Sequence, residues 1–523
     1  MIYYLFNAKK IKMFILKYTL GDGLLKRVAG TILIAFSALT MALLSGCGKD
    51  EDETKKAEIK KDYDICIYNS DRDNEEKFRE MCDEYTNRTG VIIKTITPSE
   101  EDDTVENLEA YLNSESAPDI FTVNNIQELK KWKSDGSVWD FSNATDENFK
   151  KVANDIPDYL RLSTNTADNF GIPYTVEGFG YVLDPKMISS LFGGDKYRNV
   201  IYDLQECSYD EFSLMVEALR SYIMTSANFT FTLNNNEYSF VADKGELSRN
   251  LTGVFSFAAG LPKNSGTYMA NIPVASVFDS AAATNLATQD DADKLETPFL
   301  RFAEASNLIT QNVAGNSGPM GRGAEIVSTS RNSTAQSLKN FVNGKSVFLL
   351  ASTQDYKNLS TFNSLVAKRC VFIPIKMPID GTEFRTSESV VKDVNRGITV
   401  YSPRYYCMNA NSNARQHDQA QKFLTWLSTS DLAAKYIVSE FGYAPYNIED
   451  VSVVDNPLTR SVLSYIAENK VLPCAIAGAP EDFGDETLGK YLIEQYFSKA
   501  FWSEQDYGSI ADYAVEKWKE LID

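Results

Sequence analysis

Gly171-Ile172-Pro173-Tyr174-Thr175-Val176-Glu177-Gly178-Phe179-Gly180-Tyr181-Val182-Leu183-Asp184-Pro185 is the stretch on which the reading of this chain turns. β-Branched and aromatic residues alternate with smaller ones, Gly and Pro punctuate the run, and Asp-Pro stops it, so it reads as an extended segment. Glu177 sits mid-run, where a carboxylate without a partner is costly to bury. Gly178 and Gly180 strip side chains from either side of Phe179 and leave its ring projecting beside open backbone. An acid, an aromatic ring and bare backbone in succession suit a strand along the floor of a cleft. The competing reading is a β-bulge at a sheet edge, with Glu177 in solvent.

Upstream, the pattern is that of a βαβ unit. Residues 63–68 read as a strand, 69–74 as a polar loop and 75–89 as a helix ended by Gly90, and a second strand follows over 91–97. Such a unit builds a parallel sheet with helices on its faces, and ligands bind beyond the carboxyl ends of its strands, here at the 69–74 loop. The Asp71-x-Asp73-Asn74 run within that loop lacks the glycine and distal glutamate of a calcium loop, so it reads as solvated polarity. A helix over 104–114, a strand over 117–123 entered by Pro118, and a helix over 126–133 come next.

At 523 residues the chain is too long for one core, and 43% hydrophobic content excludes disorder as its main state. The formal net charge is −20, and six basic residues but one acid precede Cys47, so the remainder is more acidic still. A surface of that sign repels phosphate backbones, which argues against nucleic acid as a partner. A single histidine, His417, argues against a His-ligated metal and a His-based triad.

Lys26-Arg27, the apolar run 28–44 and the small residues Ser45-Gly46 form an export signal, with Met13 an alternative start. The run is nearly long enough to span a bilayer as a helix instead. The ending Leu44-Ser45-Gly46-Cys47 resembles the bacterial lipoprotein box, which implies a diacylglyceryl group on the Cys47 thiol, a leader over 1–46 and a flexible charged tether over 47–61. Six cysteines remain beyond it and are expected to be mostly unpaired.

The wider order of motifs resembles the extracellular solute-binding proteins of sugar ABC importers, of family-one architecture. It runs strand, helix, Thr89-Gly90-Val91, strand, Ala117-Pro118-Asp119-Ile120, helix, Asp135-Gly136-Ser137-Val138-Trp139-Asp140-Phe141, and then the 171–185 stretch. Downstream, Phe341-Val342-Asn343-Gly344-Lys345-Ser346-Val347-Phe348 is similar to the family's F-x-x-G-K-x-A-M strand, with Val-Phe for Ala-Met. Pro374-Ile375-Lys376-Met377-Pro378 and Gly397-Ile398-Thr399-Val400-Tyr401-Ser402 are similar to its return strands. Ala420-x-x-Phe423-Leu424-Thr425-Trp426-Leu427 is similar to its A-x-x-F-L-x-W-L helix, and Gly442-Tyr443-Ala444-Pro445-Tyr446-Asn447 to its G-x-x-P-x-N turn. Residues 191–332, rich in Asn, Ser and Thr, match it poorly and read as an enlargement of the second lobe, with a hairpin over 229–241.

The resemblance implies an α/β, two-lobe periplasmic-binding-protein fold with three hinge crossings, near 172–178, 372–378 and 450–457. Lobe one is then 62–174 plus 376–452, and lobe two 178–373 plus 455–523. It further implies a membrane-anchored, monomeric binding protein without cofactor or catalytic residues, which passes a carbohydrate to the transmembrane subunits of an ABC permease.

Sugars present hydroxyls that donate and accept, together with apolar C–H faces, so their sites pair amides and carboxylates with flat rings. Asn69, Asp71, Asn124 and Glu177 lie where this fold puts loops at the cleft, and Phe121, Phe179, Tyr356 and Tyr443 are the candidate stacking rings. Trp426, Trp502 and Trp518 read as packing, and so do Trp132 and Trp139. The family's G-x-W is replaced by a segment over 351–356 that contains no tryptophan, and Arg396 is a candidate for an acidic sugar. Competing functions are an exported glycan hydrolase, which needs two carboxylates facing across a bond, and a sensor or adhesin without an importer. The same fold with a peptide, polyamine or metal ligand is a further alternative.

Overall fold

The computed structural model describes residues 62–165, 167–379 and 393–522. The leader, the tether and Cys47 lie outside them. Along the chain the strands are β1 (Ile65–Tyr68), β2 (Ile93–Ile96), β3 (Ile120–Val123), β4 (Ile172–Pro173), β5 (Glu177–Leu183), β6 (Phe231–Leu233), β7 (Asn236–Tyr238), β8 (Phe255–Ser256), β9 (Phe348–Ser352), β10 (Val371–Ile373), β11 (Ile398–Tyr401), β12 (Tyr405–Met408) and β13 (Val471–Pro473). They form two principal sheets, each the centre of one lobe.

The first sheet has the order β2-β1-β3-β12-β4. β1 runs parallel to β2 and β3, and β12 antiparallel to β3 and β4. The expected βαβ unit is present: the helix Glu75–Thr89 buries Phe78, Met81, Cys82 and Tyr85 along one face and ends at Gly90, whose φ of 76° is the left-handed conformation glycine supplies without strain. β1 and β3 are buried along their whole length. Both faces of this part of the sheet are covered, and so Ile-Cys-Ile-Tyr and Ile-Phe-Thr-Val read as continuous apolar runs.

The second sheet has the order β13-β11-β5-β9-β8, with β10 also against β5. β5 is its centre: Phe179–Leu183 pair with β9 on one edge, and on the other Glu177–Phe179 pair with β11 and Tyr181–Leu183 with β10. All seven residues of β5 are buried.

The 171–185 stretch is therefore two strands, not one. Ile172–Pro173 closes the edge of the first sheet against Tyr405 and Tyr406. An edge strand can hold a proline, whose missing N–H would interrupt a ladder in the sheet interior. The chain then crosses at 174–176 and becomes the middle of the second sheet.

The second passage differs from the expected 372–378. β10 and β11 both lie in the second sheet and β12 in the first, so the chain crosses at 402–404. Residues 374–377 stay with the second sheet because the ammonium of Lys376, fully buried, donates to the carbonyls of Gln205, Cys207 and Asn395 at 3.0, 2.9 and 2.6 Å. Residues 376–379 and 393–401 thus do not belong to the first lobe. Tyr446 still donates to the first-lobe carbonyl of Val152, whereas Asn456 Nδ2 donates to Thr353 O at 3.1 Å, so the last passage falls between 447 and 456.

The 191–332 region wraps the second sheet with helices that include Tyr209–Thr225 and Glu296–Gln311. The hairpin expected there is β6–β7, turned by Asn234 and Asn235, both at positive φ, as a two-residue hairpin loop requires. Buried Asp203 fastens it, accepting from Asn234, Asn236 and Tyr238. Cys82, Cys207, Cys370, Cys407 and Cys474 are free thiols. None of the helices among those residues is long and apolar enough to cross a membrane.

Candidate functional site

Glu177 opens β5 at the point where the chain has just left the first sheet. Its side chain is 7% exposed, and Oε2 accepts from the Thr353 hydroxyl at 3.1 Å and the Tyr401 hydroxyl at 3.4 Å. Burial pushes the carboxyl up to about 7, against the pull of hydrogen bonds from Thr353, Gln354 and Tyr401 and the charge of Lys263. Its site is thus a covered floor, drier than a strand open to solvent would offer.

The two glycines flanking Phe179 have a different cause from the one their sequence suggests. A Cβ at Gly178 would meet Thr399 O and Val462 Cγ2, both at 2.7 Å, and one at Gly180 would meet Ile398 Cδ1 at 2.5 Å and Ile373 O at 2.8 Å. They admit neighbouring strands and the helix Pro457–Ala467, not a ligand. Phe179 is 1% exposed, its ring stacked on Tyr268 at 4.5 Å and tilted against Tyr401 at 5.8 Å. It reaches the wall of the smaller cavity with its ring almost wholly covered, and Tyr268 and Tyr401 are the more exposed rings beside it.

On the first-lobe side, Asn69 and Asp71 are buried and hold each other through Tyr174. Asn69 Nδ2 donates to the Tyr174 hydroxyl at 3.2 Å, and that hydroxyl donates to Asp71 Oδ2 at 3.0 Å. Asn74 Nδ2 donates to the same oxygen at 2.8 Å, and Arg404 lies 3.7 Å from Asp71 Oδ1. These groups shape the loop, and Asp73 and Asn74 are its residues at the cavity wall.

Two cavities occupy the space between the lobes. The larger, about 870 Å³, is lined by Asp73 and Asn74 from the first lobe, by Phe441 and Tyr443, by Glu177, and by Thr353, Gln354, Tyr356, Asn456 and Thr459. The smaller, about 310 Å³, is lined by Asn124, Tyr159, Arg161, Phe179, Lys263, Tyr268 and Tyr401. Gln354, an exposed residue, borders both.

Of the residues singled out in the sequence, Glu177, Tyr356 and Tyr443 meet at the larger cavity, and Asn124 and Phe179 at the smaller. Asn69 and Asp71 sit behind the wall. Phe121 does not reach either: it is fully buried and packs edge-on to Trp132, beneath the helix Ile126–Ser134. Arg396 is also elsewhere, exposed and paired with Asp393 at 3.4 Å and Glu206 at 3.9 Å. β11 runs from Ile398 toward Tyr401 at the cleft, so a residue preceding Ile398 falls at the opposite end of the strand. Cys47 lies outside the described residues.

The sequence reading missed Gln354 as an individual residue, and it missed Lys263, Tyr268, Tyr159 and Arg161. Lys263 and Tyr268 come from the 191–332 segment, where no motif marks them.

The family model of the bacterial extracellular solute-binding proteins matches residues 80–452. No curated protein sequence matches the chain. Among solved structures, a probable secreted solute-binding lipoprotein from Streptomyces coelicolor is 12% identical with a TM-score of 0.57, over 87% of this chain and 98% of that one. The bacterial solute receptor AcbH, which prefers β-D-galactopyranose, is 10% identical with a TM-score of 0.56, over 88% and 100%. The apo form of RafE from Streptococcus pneumoniae is 12% identical with a TM-score of 0.54, over 87% and 97%. At these identities the likeness establishes the two-lobe fold.

Proposed function

We propose that this chain, which belongs to the bacterial extracellular solute-binding proteins, captures a carbohydrate in the cleft between its lobes. The family is one of binding proteins, not enzymes, and acts outside the cytoplasm. The observation that carries the ligand class is the lining of the larger cavity. Amides of Asn74, Gln354 and Asn456 and hydroxyls of Thr353 and Thr459 alternate there with the rings of Tyr356, Phe441 and Tyr443. Groups that donate and accept meet hydroxyls, and rings cover the apolar faces of a pyranose. A volume of about 870 Å³ suits an oligosaccharide better than a single ion. A solute receptor of the same fold takes a galactopyranose.

The finer reading continues from the N-terminus. Cys47 carries the lipid, residues 47–61 tether the folded body to the membrane, and the monomeric protein hands its sugar to the transmembrane subunits of an ABC permease. A thermal-shift screen against an oligosaccharide panel tests the ligand class. A ligand that binds only the folded state raises Tm by mass action. A rise with peptides or polyamines, and none with any glycan, overturns the carbohydrate reading.

A further inference from the structure

The smaller chamber is lined by two cations, Lys263 and Arg161, and one acid, Asp158. Lys263 is half-buried on its wall, with Nζ 5.1 Å from the centre of the Tyr268 ring, and makes no ion pair among the described residues. Two carboxylates stand near it without pairing directly: Asp355 accepts from the backbone and hydroxyl of Ser352 at 2.9 and 3.2 Å, and Asp485 from the Thr267 hydroxyl at 2.5 Å. Burial pulls the Lys263 ammonium down, but Tyr268, Asp485 and Asp355 hold it above the ordinary lysine range, so it stays charged.

Arg161 is the second cation. Its one ion pair among the described residues is with Asp158 at 3.2 Å, a carboxylate 86% exposed, where water screens the attraction. Its Nε is buried and has no acceptor among the described residues. A buried guanidinium N–H without a partner costs free energy until something fills the place.

Resting on the carbohydrate reading above, we propose that the Lys263–Arg161 chamber selects sugars bearing an anionic substituent, a uronate carboxylate or a sulfate ester. The rings of Tyr159, Tyr268 and Tyr401 and the amide of Asn124 supply the surfaces for the pyranose that carries it. The acidic exterior repels an anion only within about 8 Å at physiological salt, whereas the chamber acts at contact and with less water. Guanidinium and ammonium beside an orphaned N–H are what a carboxylate or sulfate pairs with.

The test is calorimetric titration of the wild type with matched oligosaccharides: neutral, uronate-bearing and sulfated forms of the same backbones. The expected result is affinity at least ten-fold higher for an anionic form than for its neutral counterpart, weakening as salt rises. The carboxylated and sulfated probes tell which anion is taken. Lys263→Met and Arg161→Gln should bring the ratio of anionic to neutral affinity toward one, and Lys263→Arg should keep it, with a melting curve confirming that each variant folds. Equal affinity for neutral and charged forms overturns the charge selection alone. A preference that survives Lys263→Met and Arg161→Gln overturns the assigned chamber. No binding by any sugar, with binding by another ligand class, overturns the carbohydrate reading and this inference with it.

Discussion

The Thr353 hydroxyl donates to the Glu177 carboxylate at 3.1 Å, and so ties the first residue of β5 to the residue that follows β9. The bond lies at the point where the chain enters the second lobe, on the floor of the cleft. It brings a titratable group, a hinge and a ligand cavity into one place.

The stability of the protein should therefore depend on pH through Glu177. Its carboxyl titrates near 7 when folded and near 4.5 when unfolded. Between those values the folded state holds the extra proton, so stability falls as pH rises from about 4.5 to about 7 and levels off above. The loss is about 3 kcal/mol at most. Glu177→Gln keeps an acceptor for Thr353 and cannot ionise. Urea denaturation should find it about as stable as wild type at pH 4 and more stable, by up to about 3 kcal/mol, at pH 8. A difference between the two proteins that does not change with pH would remove Glu177 as the source.

Phe179 should act on stability more than on affinity. Its side chain is 1% exposed and stacked on Tyr268. Phe179→Ala should cost roughly 3–5 kcal/mol of folding free energy through the cavity it leaves. Tyr268 is the more exposed ring on the wall of the smaller cavity, so Tyr268→Ala should weaken sugar binding by roughly 1–3 kcal/mol through lost ring contact. Denaturation and titration of both variants check the division. A Phe179→Ala protein of normal stability and poor affinity would put that ring in the cleft after all.

What was legible in the sequence was local. The helix Glu75–Thr89 declares its face by spacing and its end by Gly90, and both are decided within a few residues. Glu177 could be picked out because an acid inside an apolar strand is costly unless something answers it. The passage at 402–404 could not, because Ser402-Pro403-Arg404 joins two short apolar strands as a hairpin loop would. Only the strands' partners, Glu177 for Tyr401 and Val123 for Tyr405, show that they belong to different sheets. Phe121 and Arg396 failed for a related reason: nothing near them in sequence states which face of a strand, or which end, meets the cleft. Lys263 and Tyr268 reach the chamber through the π-helical turn Asn264–Met269 of a segment without family motifs, so no pattern marked them.

Membrane attachment should depend on Cys47. A lipid anchor holds through buried CH₂ groups, each worth roughly 0.8 kcal/mol, and a serine cannot take the diacylglyceryl group. Cys47→Ser should leave the protein uncleaved or released, as read by membrane fractionation and the mass of the N-terminus. Processing and retention like those of the wild type would end the lipobox reading.

Ligand should draw the lobes together. The first and second sheets are joined at 174–176, 402–404 and between 447 and 456. Hydrogen bonds anchor these passages: Tyr174 N–H to Arg404 O at 2.9 Å joins the first two, Val176 N–H donates to Ala444 O at 2.7 Å, and Asn456 Nδ2 at the end of the third donates to Thr353 O at 3.1 Å. Change is then cheapest as a few dihedral rotations in these passages, with each lobe moving as a body, since the sheets themselves are fully packed. Small-angle scattering with a sugar found by thermal shift should show a smaller radius of gyration at saturation than without it. Amide exchange should slow in the three passages and in the residues lining the larger cavity, and stay unchanged at the centre of β5, which is already buried. An unchanged radius together with unchanged exchange in all three passages, at saturating sugar, would mean that the ligand binds without closure and that these passages are not a hinge.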